Sequence, residues 1–277
     1  MRIFLLYASL VLVLGSSCGP AIVRCVTTLD VSKSGFSIEM IITKLQVLEY
    51  HILKTDVKMD DESNYTSCRS IPFKKTGIYQ IQPEKPFKEP ITVLCDQDYS
   101  SGGWTVIQHR FEGSVIFYRG WQEYKNGFGS LEGEFWLGLD SIHQLTASKP
   151  HELVILLEDY NGNKTYANYD RFEIGDEGQK YALKTLGVFS GTAGDSLGAQ
   201  KGMKFTTLDA DNDRWVKNCA VEFTGAWWYA ACHESNLNGQ YLRGDTDQYA
   251  TGMVWKSFRG LYHSLKSSKM MIRPKEM

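Results

Sequence analysis

The chain is 277 residues long, 43% hydrophobic and 22% charged, with no biased tract. A folded chain of that length buries roughly 75% of its unfolded surface, and the composition excludes intrinsic disorder and a collagen-like fibre. The formal charge of -2, from 30 basic and 32 acidic residues, gives no general attraction to nucleic acid or anionic lipid.

The first predicted element is an address. Arg2 precedes an apolar run from Ile3 to Leu14, which ends at Gly15, Ser16, Ser17 and Cys18. A short positive start, an apolar stretch too short for a bilayer and small residues at the cleavage point form a secretory signal peptide over residues 1–18. The mature protein is therefore expected to be secreted and extracellular, without membrane insertion. Secretion makes disulfides the default for Cys18, Cys25, Cys68, Cys95, Cys219 and Cys232. No CxxC is present, so a zinc site has no sequence support. Pairing neighbours along the chain would give Cys68–Cys95 and Cys219–Cys232, each worth roughly 3 kcal/mol by loop-closure entropy. If cleavage follows Cys18, Cys25 is left over for an interchain bond. Asn64 and Asn163 begin glycosylation sequons, N-Y-T and N-K-T.

Residues 19–63 form an N-terminal segment. Within it Ile38, Ile41, Leu45, Leu48, Ile52 and Met59 follow alternating three- and four-residue steps, with Ser37 as a cap. That spacing predicts a short coiled-coil helix over about 37–59 and a homo-oligomer assembled through residues 25–59. An amphipathic helix packed on its own domain is the other reading. Asp60 to Asn64 is a polar linker, and residues 66–277 read as one globular unit. Strands are predicted at Ile91–Leu94, Trp104–Gln108 and Leu153–Glu158, a short helix at Glu123–Phe128, and a hairpin partner at Tyr166–Ile174 beyond an Asn- and Gly-rich turn. Short strands mixed with short helices define an α+β class.

Three stretches could carry chemistry. Gly194-Asp195-Ser196-Leu197-Gly198 matches the nucleophile-elbow pattern, but a polar loop precedes it where a buried strand is required, so it reads as a glycine-rich loop. Asp209-Ala-Asp211-Asn-Asp213 places oxygen ligands at alternate positions, as a hard cation needs. Arg214 and Ala220 stand where an EF-hand needs Gly and Glu. The loop can still bind Ca2+ through the Asp211 and Asp213 carboxylates and the Trp215 and Lys217 carbonyls. The third stretch, Cys219 to Tyr262, sets Trp227, Trp228 and Tyr229 beside Cys232, His233 and the amides of Asn236 and Asn238. Aromatics beside exposed amides and a disulfide suit a shallow apolar pocket with a polar rim.

The segment from Gly102 to Thr146, GGWTVIQHRFEGSVIFYRGWQEYKNGFGSLEGEFWLGLDSIHQLT, resembles the core signature of the fibrinogen C-terminal-like domain family. SGTAGDSL, DADND, NCAVEFTGAWWYAACHESNLNGQYL and MMIRP follow in that family's order. The likeness spans about residues 66–277, and Tyr241-Leu-Arg-Gly and Tyr249-Ala-Thr-Gly bring it nearest to ficolins, tachylectins and invertebrate fibrinogen-related lectins.

The resemblance implies a mainly antiparallel sheet with short helices and long calcium-stabilised loops. It implies disulfides Cys68–Cys95 and Cys219–Cys232, and calcium on Asp211, Asp213, Trp215 and Lys217. In lectin members a neighbouring pocket holds an acetyl group. Its backbone donors map here to Cys232 and His233, and its walls to Phe223, Tyr249 and Ala250. A cis bond before Cys232 is implied as well. The last wall is usually a Tyr; ungapped alignment puts Leu261 there, and a one-residue shift brings in Tyr262. No Gly-X-Y stretch is present, unlike ficolins. The function so implied is a non-enzymatic, calcium-dependent, lectin-like pattern-recognition protein that binds acetylated glycans in innate immunity. The other reading is an angiopoietin-like signalling or matrix ligand that binds a cell-surface protein.

Overall fold

The computed structural model describes Val11–Leu12, Thr27–Thr28 and residues 65–275 apart from 73, 85, 87 and 88. The chain divides into two units, Met1–Glu62 and Ser63–Met277. In the first, Val11–Leu12 pairs antiparallel with Thr27–Thr28. The rest of the signal-peptide layout, the heptad segment, Cys18, Cys25 and Asn64 lie outside the described residues.

The second unit is organised by an antiparallel sheet. Its strands are β1 (Gly77–Ile81), β2 (Ile91–Asp96), β3 (Trp104–Arg110), β4 (Phe128–Gly129), β5 (Phe135–Trp136), β6 (His151–Glu158), β7 (Lys164–Ile174), β8 (Leu183–Leu186), β9 (Phe189–Gly191) and the last strand of the chain, Ser267–Pro274. That last strand lies between β6 and β3, so the path runs β8, β7, β6, Ser267–Pro274, β3, β2, β1; β9 adds to β7 and β5 to β3. The central strands are apolar because most of their side chains are covered. Leu153, Val154, Ile155, Met270, Met271 and Ile272 are each at most 1% exposed.

Local chemistry sets the ends of the elements. The β6–β7 hairpin turns where the buried Asp159 carboxylate accepts the N–H groups of Asn161 and Asn163, both at 2.9 Å, an Asx-type turn. Helix α1 (Trp121–Asn126) stops two residues short of the predicted Phe128, because Gly127 takes φ +92° and a Cβ there would meet Leu137 O at 2.6 Å. Helix α2 (Leu139–Ser148) buries Leu139, Ile142, Leu145 and Thr146 against β7. After β3 the chain wraps the Glu134 carboxylate, which accepts N–H bonds from Phe111, Glu112, Gly113 and Val115 at 2.7–3.0 Å. Burial raises the Glu134 pKa, but these four donors outweigh it and hold the group ionised.

Both expected disulfides are formed, Cys68–Cys95 and Cys219–Cys232. Trp227 and Trp228 are core, fully buried, and pack edge to face at 5.0 Å. Beyond β9 regular structure is sparse: α3 (Cys219–Glu222), β10 (Ser235–Asn236), β11 (Gly244–Asp245), β12 (Val254–Trp255), α4 (Lys256–Arg259), β13 (His263–Ser264), and finally β14, the Ser267–Pro274 strand. β10 pairs β12 and β11 pairs β13. Buried polar side chains tie this region to the sheet. Arg110 donates to Leu237 O and Gly239 O at 3.1 and 2.5 Å, and Gln108 Nε2 donates to Leu237 O at 3.0 Å.

Candidate functional site

Asn218 caps α3, its Oδ1 accepting from Ala220 N and Val221 N at 2.8 and 3.2 Å. The Cys219–Cys232 bond then pins this cap to the segment that carries His233. Just before the cap, Asp213 spreads its carboxylate over the loop. Oδ1 accepts Trp215 N and Oδ2 accepts Cys219 N, both at 2.8 Å, while Asp213 N donates to Asp211 Oδ1 at 3.3 Å. Asp209, the first acid of the run, points elsewhere, to Trp121 N and the Thr207 hydroxyl.

No Lys or Arg forms an ion pair with Asp211 or Asp213 among the described residues. Burial raises the Asp213 pKa and the Asp211 charge adds to the rise, against lowering by the Cys219 and Trp215 donors. Val216 between the two carbonyl positions is 92% exposed, so the loop projects into solvent. Two neighbouring carboxylates that form no ion pair among the described residues, in a loop whose Val216 and Lys217 face solvent, are a donor set that fits a hard divalent cation. The described residues contain no cluster of three or more His, Cys, Asp or Glu side chains able to hold a metal.

The predicted pocket residues come together beside this loop. The Ala231–Cys232 peptide bond is cis. Phe223 meets the His233 ring edge to face at 4.9 Å, and Trp215 lies 6.4 Å from Phe223 on its other side. His233 Nε2 is 3.0 Å from Ala250 O, to which it donates. Burial lowers the His233 pKa to about 4, so the ring is neutral at pH 7. Its Nδ1 is buried and has no hydrogen-bond partner. Among the described residues, the backbone N–H groups of Cys232 and His233 donate to nothing.

At the outer end Tyr249 and Tyr262 pack 5.1 Å apart and are 51% and 56% exposed. The ladder Ala250 N to Leu261 O and Thr246 N to Tyr262 O, at 2.8 and 2.9 Å, sets this register. That register sets the Tyr262 ring, and not the Leu261 side chain, against Tyr249.

The amides expected to be exposed are not. Asn236 and Asn238 are fully buried. Asn236 accepts the Tyr229 hydroxyl at 2.7 Å and donates to Phe223 O and Ala250 O at 3.3 and 3.5 Å. It bolts the two pocket walls together from beneath. Asn238 Nδ2 donates to Ala226 O at 3.0 Å. Tyr229 and Asn236, read from the sequence as part of the pocket surface, are thus buried supports beneath it. A polar type alone does not reveal burial; the adjacent Leu237, fully buried, is the signal that was available.

Ser196 of the Gly194–Gly198 loop is also fully buried and shares a 2.8 Å hydrogen bond with the Ser257 hydroxyl. The acid beside it, Asp195, accepts the Tyr169 hydroxyl at 2.6 Å.

A sheet closed by its own C-terminal strand, two local disulfides and a loop-built face beside the second disulfide define a fibrinogen-type globular domain. Residues 66–275 match the family described as the C-terminal globular domain of fibrinogen beta and gamma chains, and the chain belongs to that family. It is 48% identical over 206 residues to Fibrinogen C domain-containing protein 1-B of Xenopus laevis, a match covering 73% of this chain and 45% of the relative. The chain thus spans under half the length of that relative. The fibrinogen-like globe domain of human ANGPTL2 superposes with a TM-score of 0.74 at 42% identity, over 76% of this chain and 100% of that one. The lamprey fibrin D-dimer in complex with the peptide Gly-His-Arg-Pro-amide gives 0.72 at 30% identity, over 86% of this chain and 85% of that one.

Proposed function

We propose that this chain is a secreted, non-enzymatic binding protein whose fibrinogen-like domain takes a protein or peptide ligand on the face of Phe223, His233, Tyr249, Ala250 and Tyr262. The observation that carries this reading is the exposed Tyr249–Tyr262 pair, 5.1 Å apart, whose neighbour Ala250 accepts at its carbonyl the His233 ring that packs on Phe223. Exposed aromatics that are rigidly backed are the usual anchors of protein contacts. Likeness to angiopoietin-like globe domains at above 40% identity, and to a fibrin crystallised with a peptide, supports the same class of partner. Asp211, Asp213, Trp215 and Lys217 would hold Ca2+ in the ~10⁻⁴–10⁻³ M range of extracellular modules, and so fix the loop that carries Trp215. Oligomers formed through residues 25–59 would multiply a weak single-site affinity.

A second reading, recognition of acetylated glycans in innate defence, is favoured by the two undonated N–H groups of Cys232 and His233 beneath aromatic walls. One experiment tests both. The secreted protein is bound to cultured cells in calcium, with and without N-acetylglucosamine, beside the Tyr249→Ala/Tyr262→Ala variant. Binding that resists the sugar and is lost in the variant is expected. Displacement by the sugar would put the glycan reading first, and an unaffected variant would remove this face from both.

A further inference from the structure

A second recessed surface lies away from that face, on the sheet. It is a groove of about 510 Å³, lined among others by Tyr99, His109, Phe111, Leu156, Lys164 and Tyr166. Strand register fixes its layout. His109, Lys269, Leu156 and Tyr166 form one row across β3, β14, β6 and β7. Ser267, Glu158 and Lys164 form the next row. At the spacing of neighbouring strands a four-strand row is roughly 14 Å wide.

The floor is apolar and open: Phe111 is 38% and Tyr166 40% exposed. The His109 ring lies 4.7 Å from that of Phe111, tilted by 40°, and is neutral, its pKa lowered to about 4 by burial and by Lys269. The charges at the rim are already paired, Lys269 with Asp96 at 3.1 Å, and Glu158 with Lys266 and Lys164 at 2.6 and 3.7 Å. Open rings within a rim of hydroxyls and self-neutralised charges suit a sugar. Its C–H face lies on the rings and its hydroxyls bond outward, with no net charge required.

The sequon Asn163-Lys164-Thr165 stands at the end of this groove, and its second and third residues help line it. We infer that Asn163 carries an N-linked glycan whose first sugars lie in the groove against Tyr166 and Phe111. Asn163 is exposed, and its Nδ2 donates to Asp159 Oδ2 at 2.8 Å. An amide nitrogen carries two hydrogens, so substitution of one leaves the Asp159 bond in place. The donor class is an oligosaccharide on a lipid diphosphate. Nδ2 bonds to the anomeric carbon, the bond from that carbon to the diphosphate oxygen breaks, the lipid diphosphate leaves with the electron pair and the amide proton is lost. Along the strand Tyr166 is roughly 10 Å from the attachment residue, within reach of the first sugars. This occupant covers aromatic surface that the sheet otherwise leaves to water. The inference rests on entry into the secretory pathway and not on the ligand face.

The test uses the full chain, secreted from animal cells, in an Asn64→Gln background so that a single sequon remains. Peptide mass spectrometry reads occupancy of Asn163, and release by an endoglycosidase is timed on the folded protein. Release from the parent is expected to be roughly tenfold slower than from Tyr166→Ala, the factor that about 1.4 kcal/mol of sugar-on-ring contact gives. Phe111→Ser repeats the comparison should Tyr166→Ala fold poorly. Thr165→Ala, which removes the sequon and keeps Asn163, is expected to raise binding of an apolar fluorescent dye. An unoccupied Asn163, or equal release rates in parent and variants, or no change in dye binding, overturns the inference.

Discussion

At the scale of single residues, buried histidines couple this fold to pH. His151 at the head of β6 is 3% exposed, and burial lowers its pKa to about 4 against an ordinary 6.5. The folded form thus stays neutral where the unfolded chain takes up a proton. Its contribution is complete above pH 6.5, declines as pH falls and is gone near pH 4, on the order of 3 kcal/mol in all. The urea midpoint of the parent should drop between pH 7 and pH 4.5 by more than that of His151→Gln; parallel drops would refute the coupling. Asn236 makes a different kind of prediction. Asn236→Leu strands the buried Tyr229 hydroxyl, frees the Phe223 carbonyl and leaves Ala250 O to His233 alone, so a loss of ~1–3 kcal/mol is expected. Ligand binding should weaken with it, because both walls lose their tie; a variant as stable as the parent would show the tie to be idle. Pairing of neighbouring cysteines and the family motif anticipated the Cys219–Cys232 bond. The choice of Tyr262 over Leu261 was not legible, since it depends on the backbone register opposite Thr246 and Ala250.

At the scale of elements, the loop from Asp209 to Asn218 has few apolar anchors, and Asp213 alone supplies two of the bonds that shape it. A cation there would relieve the repulsion between Asp211 and Asp213. At ~2 mM calcium and a dissociation constant near 10⁻⁴ M, linkage gives about 1–2 kcal/mol, a rise in Tm of a few degrees. Differential scanning calorimetry with calcium and with chelator should show that rise in the parent and none in Asp213→Ala. Identical parent curves would dismiss the cation. Legibility also varied by element. The β6–β7 hairpin could be read because an apolar run, an Asn/Gly turn and an alternating strand follow each other. Helix α2 escaped notice, as only four of its ten residues are buried and its flanks lack side-chain caps.

At the scale of the molecule, the order of strands carries a consequence that no window of sequence reveals. Ser-Ser-Lys-Met-Met-Ile-Arg-Pro has no clean two-residue period, and a bulge between Met270 and Met271 breaks its register with β3. Yet among the described residues β14 is the only strand that joins β6 to β3 in the sheet path. Without it the sheet falls into two pieces, each with a bare inner edge and an exposed apolar face. Met270, Met271 and Ile272, all fully buried, would leave a cleft through the core, each worth about 2–5 kcal/mol by the measure of truncation to alanine. Together that is of the same order as the usual net stability of a domain. A chain ending at Lys266 should therefore fail to be secreted, and Met271→Asp should be severely depleted by burial of an unpaired charge. Removal of residues 19–63 should by contrast leave the domain folded, because its strands, its core and both disulfides lie downstream. Secretion yield and near-ultraviolet circular dichroism of the three proteins decide the matter. A truncation at Lys266 that retains native dichroism would mean that β3 and β6 close the sheet on their own. The contrary result would make β14 the strand that completes the sheet, so that the loops around Leu237 and Gly239, held to β3 through Arg110 and Gln108, settle only once β14 is in place.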